Sequence, residues 1–191
     1  VRLTENGAPN GHSTAKGFNF DNGRIYISGK VLDFVGFELN TEIESGAPGA
    51  EDVDVLDGVL KLEFNDLFNV WFGRFLPPSD RANLSGPFFL NAYDFPFVQA
   101  YPSIFAGRDT GVAVWGQINE GMFKWQGGAF EGTDGPINQQ DSPLFAGRLV
   151  LNLLDPEPGY YNASTYYGAK EVLAIGVSGM YQEDSSGHLD A

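Results

Sequence analysis

Glu38, Asn40, Glu42 and Glu44 sit at alternate positions, interleaved with Phe37, Leu39, Thr41 and Ile43. A strand sends successive side chains to opposite faces, so this spacing gathers the carboxylates and the amide on one side. Arg24 and Lys30 fall on the polar face of the preceding segment, and Arg148 and Asn152 on that of a later one. Facing water inside a channel, such rows set the field that a passing ion feels. On a soluble sheet they are an ordinary solvated face. Arg24, Glu38, Asn40, Glu42, Arg74, Arg148 and Asn152 are the candidate pore-lining residues.

Catalysis finds little support. The two histidines, His12 and His188, lie in polar segments near the ends. His12 is adjacent to Ser13, but a nucleophile needs a base that is held rigidly. No His spacing suits a metal, and no cofactor is implied. The carboxylates are too numerous for any pair to stand out as a glycosidase dyad, which depends on spatial separation. Gly127-Gly128 falls in a strand and reads as close packing, not as a phosphate loop.

Composition narrows the classes further. The 191 residues carry 11 basic and 25 acidic side chains, a net charge of -14. That excludes nucleic acid, whose binding rests on clustered Lys and Arg. It also excludes docking on anionic lipid through a polybasic face. With no Cys, disulfides, thiolate chemistry and Cys-ligated zinc are impossible. No stretch approaches the ~18 apolar residues of a membrane helix. The chain opens without a start Met or a signal-like apolar core, and reads as a mature protein or a fragment.

The elements that position the polar rows are strands. Alternation predicts them over 24–31, 35–44, 53–64, 68–75, 108–118, 122–131, 143–153 and 171–182, with no convincing helix. In the third, Leu56, Gly58, Leu60 and Leu62 are expected on one face and Asp57 and Lys61 on the other. Residues 1–17 read as a Gly-rich polar loop. Short turns at 32–34, 65–66 and 119–121 alternate with longer loops, the asymmetry of outer-membrane barrels. The Tyr-rich link 154–170 breaks this pattern, because a short turn belongs there. Strands of about ten residues span a bilayer when tilted. The fold class expected is all-β: an antiparallel transmembrane barrel, or a fragment of a larger one, forming one domain over 1–191. Tyr26, Trp71, Trp115, Trp125 and Tyr181 suit either an interfacial belt or core packing. The loop 76–107 is too long and too aromatic to be an inert connection, so it should enter the lumen or pack on a partner.

Several short motifs then resemble a family. Arg24-Ile25-Tyr26-Ile27-Ser28-Gly29, a short turn and Phe37-Glu38-Leu39 look like an early hairpin of bacterial outer-membrane porins of the phosphate-selective porin O/P type. Trp71-Phe72-Gly73-Arg74-Phe75-Leu76-Pro77-Pro78 is similar to that family's Gly-x-Phe-x-x-Pro strand end. Arg108-Asp109-Thr110-Gly111-Val112 resembles a strand start of the family, and Gly128-Ala129-Phe130-Glu131-Gly132 the end of the next strand. The resemblance covers roughly residues 18–182.

It implies an outer-membrane barrel of about 16–18 strands, assembled as a homotrimer and embedded in lipid. About half would lie within these 191 residues: one strand would precede Val1, and the second half would follow Ala191. The loop 76–107 would be the third long loop, which in that family folds inward and narrows the pore. Asp80, Arg81, Asp94 and Arg108 are then constriction candidates. Phosphate selectivity does not carry over, since it rests on an Arg and Lys ladder that this acidic chain lacks. The function expected is passive diffusion of small hydrophilic solutes or ions across a bacterial outer membrane, with a general or mildly cation-preferring channel. The alternatives are a small membrane-anchored barrel in an envelope complex and a soluble carbohydrate-binding β-sandwich.

Overall fold

Alternation carries directly into pairing. The computed structural model describes residues 2–7, 14–19, 22–45, 51–86, 107–133, 141–163 and 165–183. Strands β1 (Arg2–Gly7) and β2 (Thr14–Asn19) pair as a two-stranded sheet. Strands β3 (Asn22–Leu32), β4 (Val35–Ser45), β5 (Glu51–Glu63), β6 (Asn69–Phe75), β7 (Asp109–Ile118), β8 (Phe123–Phe130), β9 (Leu144–Asn152) and β10 (Ala174–Tyr181) form one antiparallel sheet in chain order. It is open, with β3 and β10 as its edges. Helix is nearly absent among the described residues. α1 (Arg81–Ser85) is a single turn, capped where Asp80 accepts from the Asn83 backbone N–H. No described helix is long and apolar enough to cross a membrane.

The eight strands of the large sheet are those the alternation predicts. The first hairpin is not: 1–17 reads as loop, yet β1 and β2 lie within or overlap it. In sequence these stretches show no alternating apolar period, which is the signal that reveals the other strands.

The register sorts the side chains. Arg24 pairs with Glu42, Tyr26 with Asn40, and Asn40 with Asp57, which fixes one polar face across β3–β5. The face continues through Gln117, Lys124, Gln126 and Arg148 on β7–β9. Apart from Tyr26 at the β3 edge, which is exposed, and the half-buried Arg24, these side chains are buried: Glu42 is 4% exposed and Lys124 2%. The opposite face carries Ile25, Ile27, Leu60, Leu149, Leu151, Ile175 and Val177. It lies open, with Ile25 at 54% and Val177 at 65%. The usual sorting of a water-soluble protein is thus reversed.

One slip occurs. Asn40 pairs with Asp57 but Thr41 pairs with Val55, leaving Leu56 without a partner. This is a β-bulge, where one extra residue shifts the alternation. Leu56 therefore turns away from Leu60 and Leu62 and is fully buried. That corrects its expected place on the apolar face.

The short connections share one end of the sheet. Asn65 Oδ1 accepts from the backbone N–H groups of Leu67 (2.8 Å) and Phe68 (2.9 Å), tightening the β5–β6 turn. Asn119 and Glu120 take positive φ (52° and 56°) in the β7–β8 turn. The β9–β10 link starts as a continuation of the ladder, with Leu153 N–H on Leu173 O (2.8 Å) and Asp155 N–H on Glu171 O (2.9 Å). It then leaves the ladder and folds over the polar face.

Gly73 has φ +120° in the middle of β6, and a Cβ there would collide with the Gly58 carbonyl oxygen. Both the backbone conformation and the close approach demand glycine. Gly73→Ala is expected to destabilise by about 1–3 kcal/mol, read from the midpoint of a chemical denaturation curve. An unchanged midpoint would mean that the β5–β6 approach is looser than described.

Candidate functional site

The polar face is where ionisable side chains converge, so its partners decide what it can do. On β3–β5 Arg24 and Lys61 each meet a carboxylate, while the exposed Lys30 reaches only the Asp33 carbonyl. Arg24 Nε donates to Glu42 Oε1 at 2.8 Å, and Lys61 Nζ to Glu38 Oε2 at 2.5 Å. Arg108, just before β7, reaches back to Asp57 through Nε (2.9 Å) and Nη2 (3.3 Å). Asn40 Nδ2 also donates to Asp57 Oδ2 at 2.6 Å. Arg108 and Asp57 are almost fully buried. Removing one member of such a pair strands the other, at a cost of about 3–5 kcal/mol.

On β7–β9 the partners come from the link. Gln126 Nε2 donates to Tyr160 O (2.6 Å), and Lys124 Nζ to Tyr161 O (3.2 Å). Gln117 Oε1 accepts from Gly159 N–H (2.8 Å), and Arg148 Nη2 donates to Asn162 Oδ1 (3.3 Å). Asn152 Nδ2 donates to Gly121 O at 2.6 Å. Side chains reading main-chain groups hold an irregular segment as a ladder holds a strand.

Between these polar zones lies an aromatic patch. Trp71, Phe75, Trp115 and Phe130 sit together with Leu76, Leu84 and Tyr160. The Tyr160 ring stacks on Trp71 at 4.5 Å and meets Phe75 (5.9 Å) and Trp115 (6.0 Å) edge-on. Its hydroxyl donates to Leu76 O at 3.1 Å, so the polar tip is satisfied as the ring is buried. Trp71 and Trp115 are therefore core, not belt. Trp125 and Tyr181 stand on the apolar face, while Tyr26 shares the polar face with Arg24.

Two inserts thus cover the polar face. Residues 76–86 follow β6 at the long-loop end, and the link arrives from the short-turn end. They meet at Arg81, whose Nη1 and Nη2 donate to Glu157 Oε2 (2.7 Å) and Oε1 (2.5 Å). Tyr166 OH also donates to Glu157 Oε1. Burial opposes ionisation of Glu157, but the hydrogen bonds from Arg81 and Tyr166 outweigh it and hold its pKa below the ordinary 4.5.

The structure brings Arg24, Glu38, Asn40 and Arg108 to one cleft of about 200 Å³ between β3–β5 and the inserts. Glu42 is tied to its rim through Arg24, whereas Arg148 and Asn152 lie across the aromatic patch. Arg74 is half-buried opposite Gly58 and Thr110, with the strand parity of Phe72, not of Trp71. Asp80 is the cap of α1 and Arg81 the anchor of the link. Asp94 and the aromatic run of 88–105 lie outside the described residues, as do His12 and His188. Among the described residues no acidic or His cluster is arranged to hold a metal ion.

Sequence reading put Asp57 and Lys61 on the polar face without marking them as site residues, and it missed Glu157, Tyr160 and Asn162. One signal pointed to the last three: a Tyr-rich link with a carboxylate between Pro156 and Pro158, standing where a short turn belongs. The length of that link now has a physical cause, because it spans and plugs the polar face.

The Arg81–Glu157 tie carries a pH dependence. The folded pKa of Glu157 is depressed, so its stabilisation is present above 4.5 and fades as pH falls through the folded value. Glu157→Gln should cost about 1–3 kcal/mol near neutral pH, and wild type and variant should converge in acid. Denaturation curves of both proteins at the two pH values check this. A difference that persists in acid would assign the effect to packing.

No protein-family model, no curated protein and no solved structure matches this chain, so its function rests on the geometry of the site.

Proposed function

We propose that this chain forms part of the wall of a transmembrane β-barrel in a bacterial outer membrane, and that its polar face borders a path for small hydrophilic solutes or ions. The observation that carries this reading is the reversed sorting of the sheet. Aliphatic side chains are open on one face, while carboxylates, amides and guanidinium groups are buried and hydrogen-bonded on the other. In lipid that arrangement is favourable on both faces; in water the apolar face is a large exposed liability.

Dimensions agree. The apolar side chains of β9 and its extension run from Phe145 to Leu153, eight residue steps of about 3.4 Å, or about 27 Å along the strand. A tilt of about 40° shortens this to about 21 Å, close to the ~25 Å apolar band of such barrels. At the short-turn end Phe34, Phe64 and Phe68 stack in a row (5.7 and 6.1 Å) and remain exposed, as an aromatic girdle does. The alternatives fit less well. A closed eight-stranded barrel needs β3 paired with β10, and these are instead the edges of the sheet. A soluble sandwich needs a second layer on the apolar face, and the described residues place none there.

In this reading Arg24, Glu38, Asn40, Glu42, Arg148 and Asn152 belong to the lumen side. The narrowest region lies where residues 76–86 and the link meet, around Arg81, Glu157 and Arg108.

The absence of Cys makes single-cysteine labelling clean. Tyr26 and Ile27 are adjacent, on opposite faces, and similarly exposed at 56% and 51%. In full-length protein reconstituted into liposomes, a water-soluble maleimide should label Tyr26→Cys and spare Ile27→Cys. Equal labelling would remove the membrane reading. Leu151→Arg should destabilise by about 2–4 kcal/mol near the bilayer midplane. Planar-bilayer recording should show stepwise conductance; a silent membrane would leave a barrel without a channel.

A further inference from the structure

The link between β9 and β10 covers charge. Lys124 on β8 is 2% exposed and Arg148 on β9 6%. Both are cations, yet the oxygens they reach are neutral: Tyr161 O for Lys124 (3.2 Å), and Gln126 Oε1 (3.5 Å) and Asn162 Oδ1 (3.3 Å) for Arg148. Tyr161 and Asn162 belong to the link, so the segment that bonds these cations also keeps water from them. Two more cations stand close by. Arg81 donates to Glu157 from the insert 76–86, and Lys170 Nζ donates to Pro156 O, next to Glu157 in the chain (2.5 Å). Lys124 is within electrostatic reach of Arg81, Arg148 and Lys170, and of Glu157.

Glu157, 2% exposed, is the carboxylate that faces this group. Arg81 and Tyr166 donate to it, and its charge acts on Lys124 and Arg148. Asp80 adds a smaller attraction on Arg148, and the phenols Tyr160 and Tyr166 carry no charge at neutral or acid pH. The β7–β8 turn packs on the main chain of Glu157 and carries Glu120, which is exposed. Protonating Glu157 would leave four cations facing one another under a dry cover. Losing one member of a buried charge set is costly because the others stay desolvated. Their relief is water, and water reaches Lys124 and Arg148 when the link lifts. Linkage has the same sign. The Glu157 carboxyl is held low while docked and regains its ordinary value when freed, so protons bind preferentially to the lifted form and falling pH favours it. The wall has no such weakness, since its strands are joined in chain order by main-chain ladders that do not titrate.

We propose that the β9–β10 link is an acid-released plug: at neutral pH Glu157 holds it on the polar face, and in acid the cations Arg81, Lys124, Arg148 and Lys170 drive it off while the wall stays folded. As a gate for permeating solutes the plug rests on the channel reading; as a movement of the link it does not.

Trp71 and Trp115 report the movement, because Tyr160 covers both, whereas Trp125 stands on the apolar face. Full-length protein in detergent is taken from neutral pH to about pH 3, below the ordinary carboxylate range. Indole emission should shift to the red and lose its protection from acrylamide, reversibly, with an unchanged far-UV spectrum. Glu157→Gln should show the unprotected signal already at neutral pH. Lys124→Gln keeps a donor for Tyr161 O but removes one buried charge, so it should open less in acid than wild type. Four results would each overturn the proposal: wild-type indoles still protected in acid, exposure that comes only with a changed far-UV spectrum, a protected Glu157→Gln at neutral pH, or a Lys124→Gln response equal to that of wild type. In planar bilayers the conductance step should rise in acid. Indole exposure beside a silent bilayer would sink the channel reading and leave the release of the plug standing.

Discussion

Buried polar groups need hydrogen-bond partners, and on β7–β9 the chain supplies them itself. Gln117, Lys124, Gln126 and Arg148 are each almost completely buried on β7–β9. Left alone they would cost more than the sheet could offset. The β9–β10 link answers this with its own main chain, offering carbonyls at Tyr160 and Tyr161 and an N–H at Gly159. Tyr160 then fills the aromatic patch that separates this polar zone from the ion pairs of β3–β5. The path of the link, the seat of Tyr160 and the position of Arg81 follow from one requirement.

The two halves of the polar face meet it in different ways. Toward β3 the side chains satisfy each other, with charges cancelled within the sheet and by Arg108. Toward β9 they are satisfied by an insert. A field that cancels locally cannot select strongly by charge, although the whole chain carries -14. The pairs of cation and carboxylate are confined to the β3–β5 side of this face, whereas Lys124 and Arg148 toward β9 meet neutral carbonyl and amide oxygens.

Much of this was legible because strand periodicity is local. The alternation around Glu38, Asn40 and Glu42 is enough to name both faces of β4, and the same holds for Arg148 against Leu149 and Leu151. What escaped depends on geometry that no local window contains. Leu56 changes face because one residue goes unpaired against β4. Trp71 and Trp115 look like belt residues until Tyr160, about ninety and forty-five positions on, is seen to cover them. Asp57 looks like one carboxylate among many until Arg108 and Asn40 converge on it. For Arg74 the strand parity is that of Phe72, which sets it apart from the other pore-lining candidates.

Every strand of the large sheet pairs with its neighbour in sequence, so the sheet can grow one strand at a time, and even the long β6–β7 and β9–β10 connections add little closure entropy because that cost rises only slowly with loop length. The contacts that join the two inserts are of another kind: Tyr160 to Leu76 and Arg81 to Glu157 span 84 and 76 residues. They can form only when β6 through β9 already stand side by side. The expected order of assembly is therefore wall first and plug last, with contacts of long separation arriving late as topology dictates. Trp71, which Tyr160 covers, is a natural fluorescent clock for that final step. A polypeptide that builds its own obstruction last has, for an interval during assembly, an unobstructed polar face.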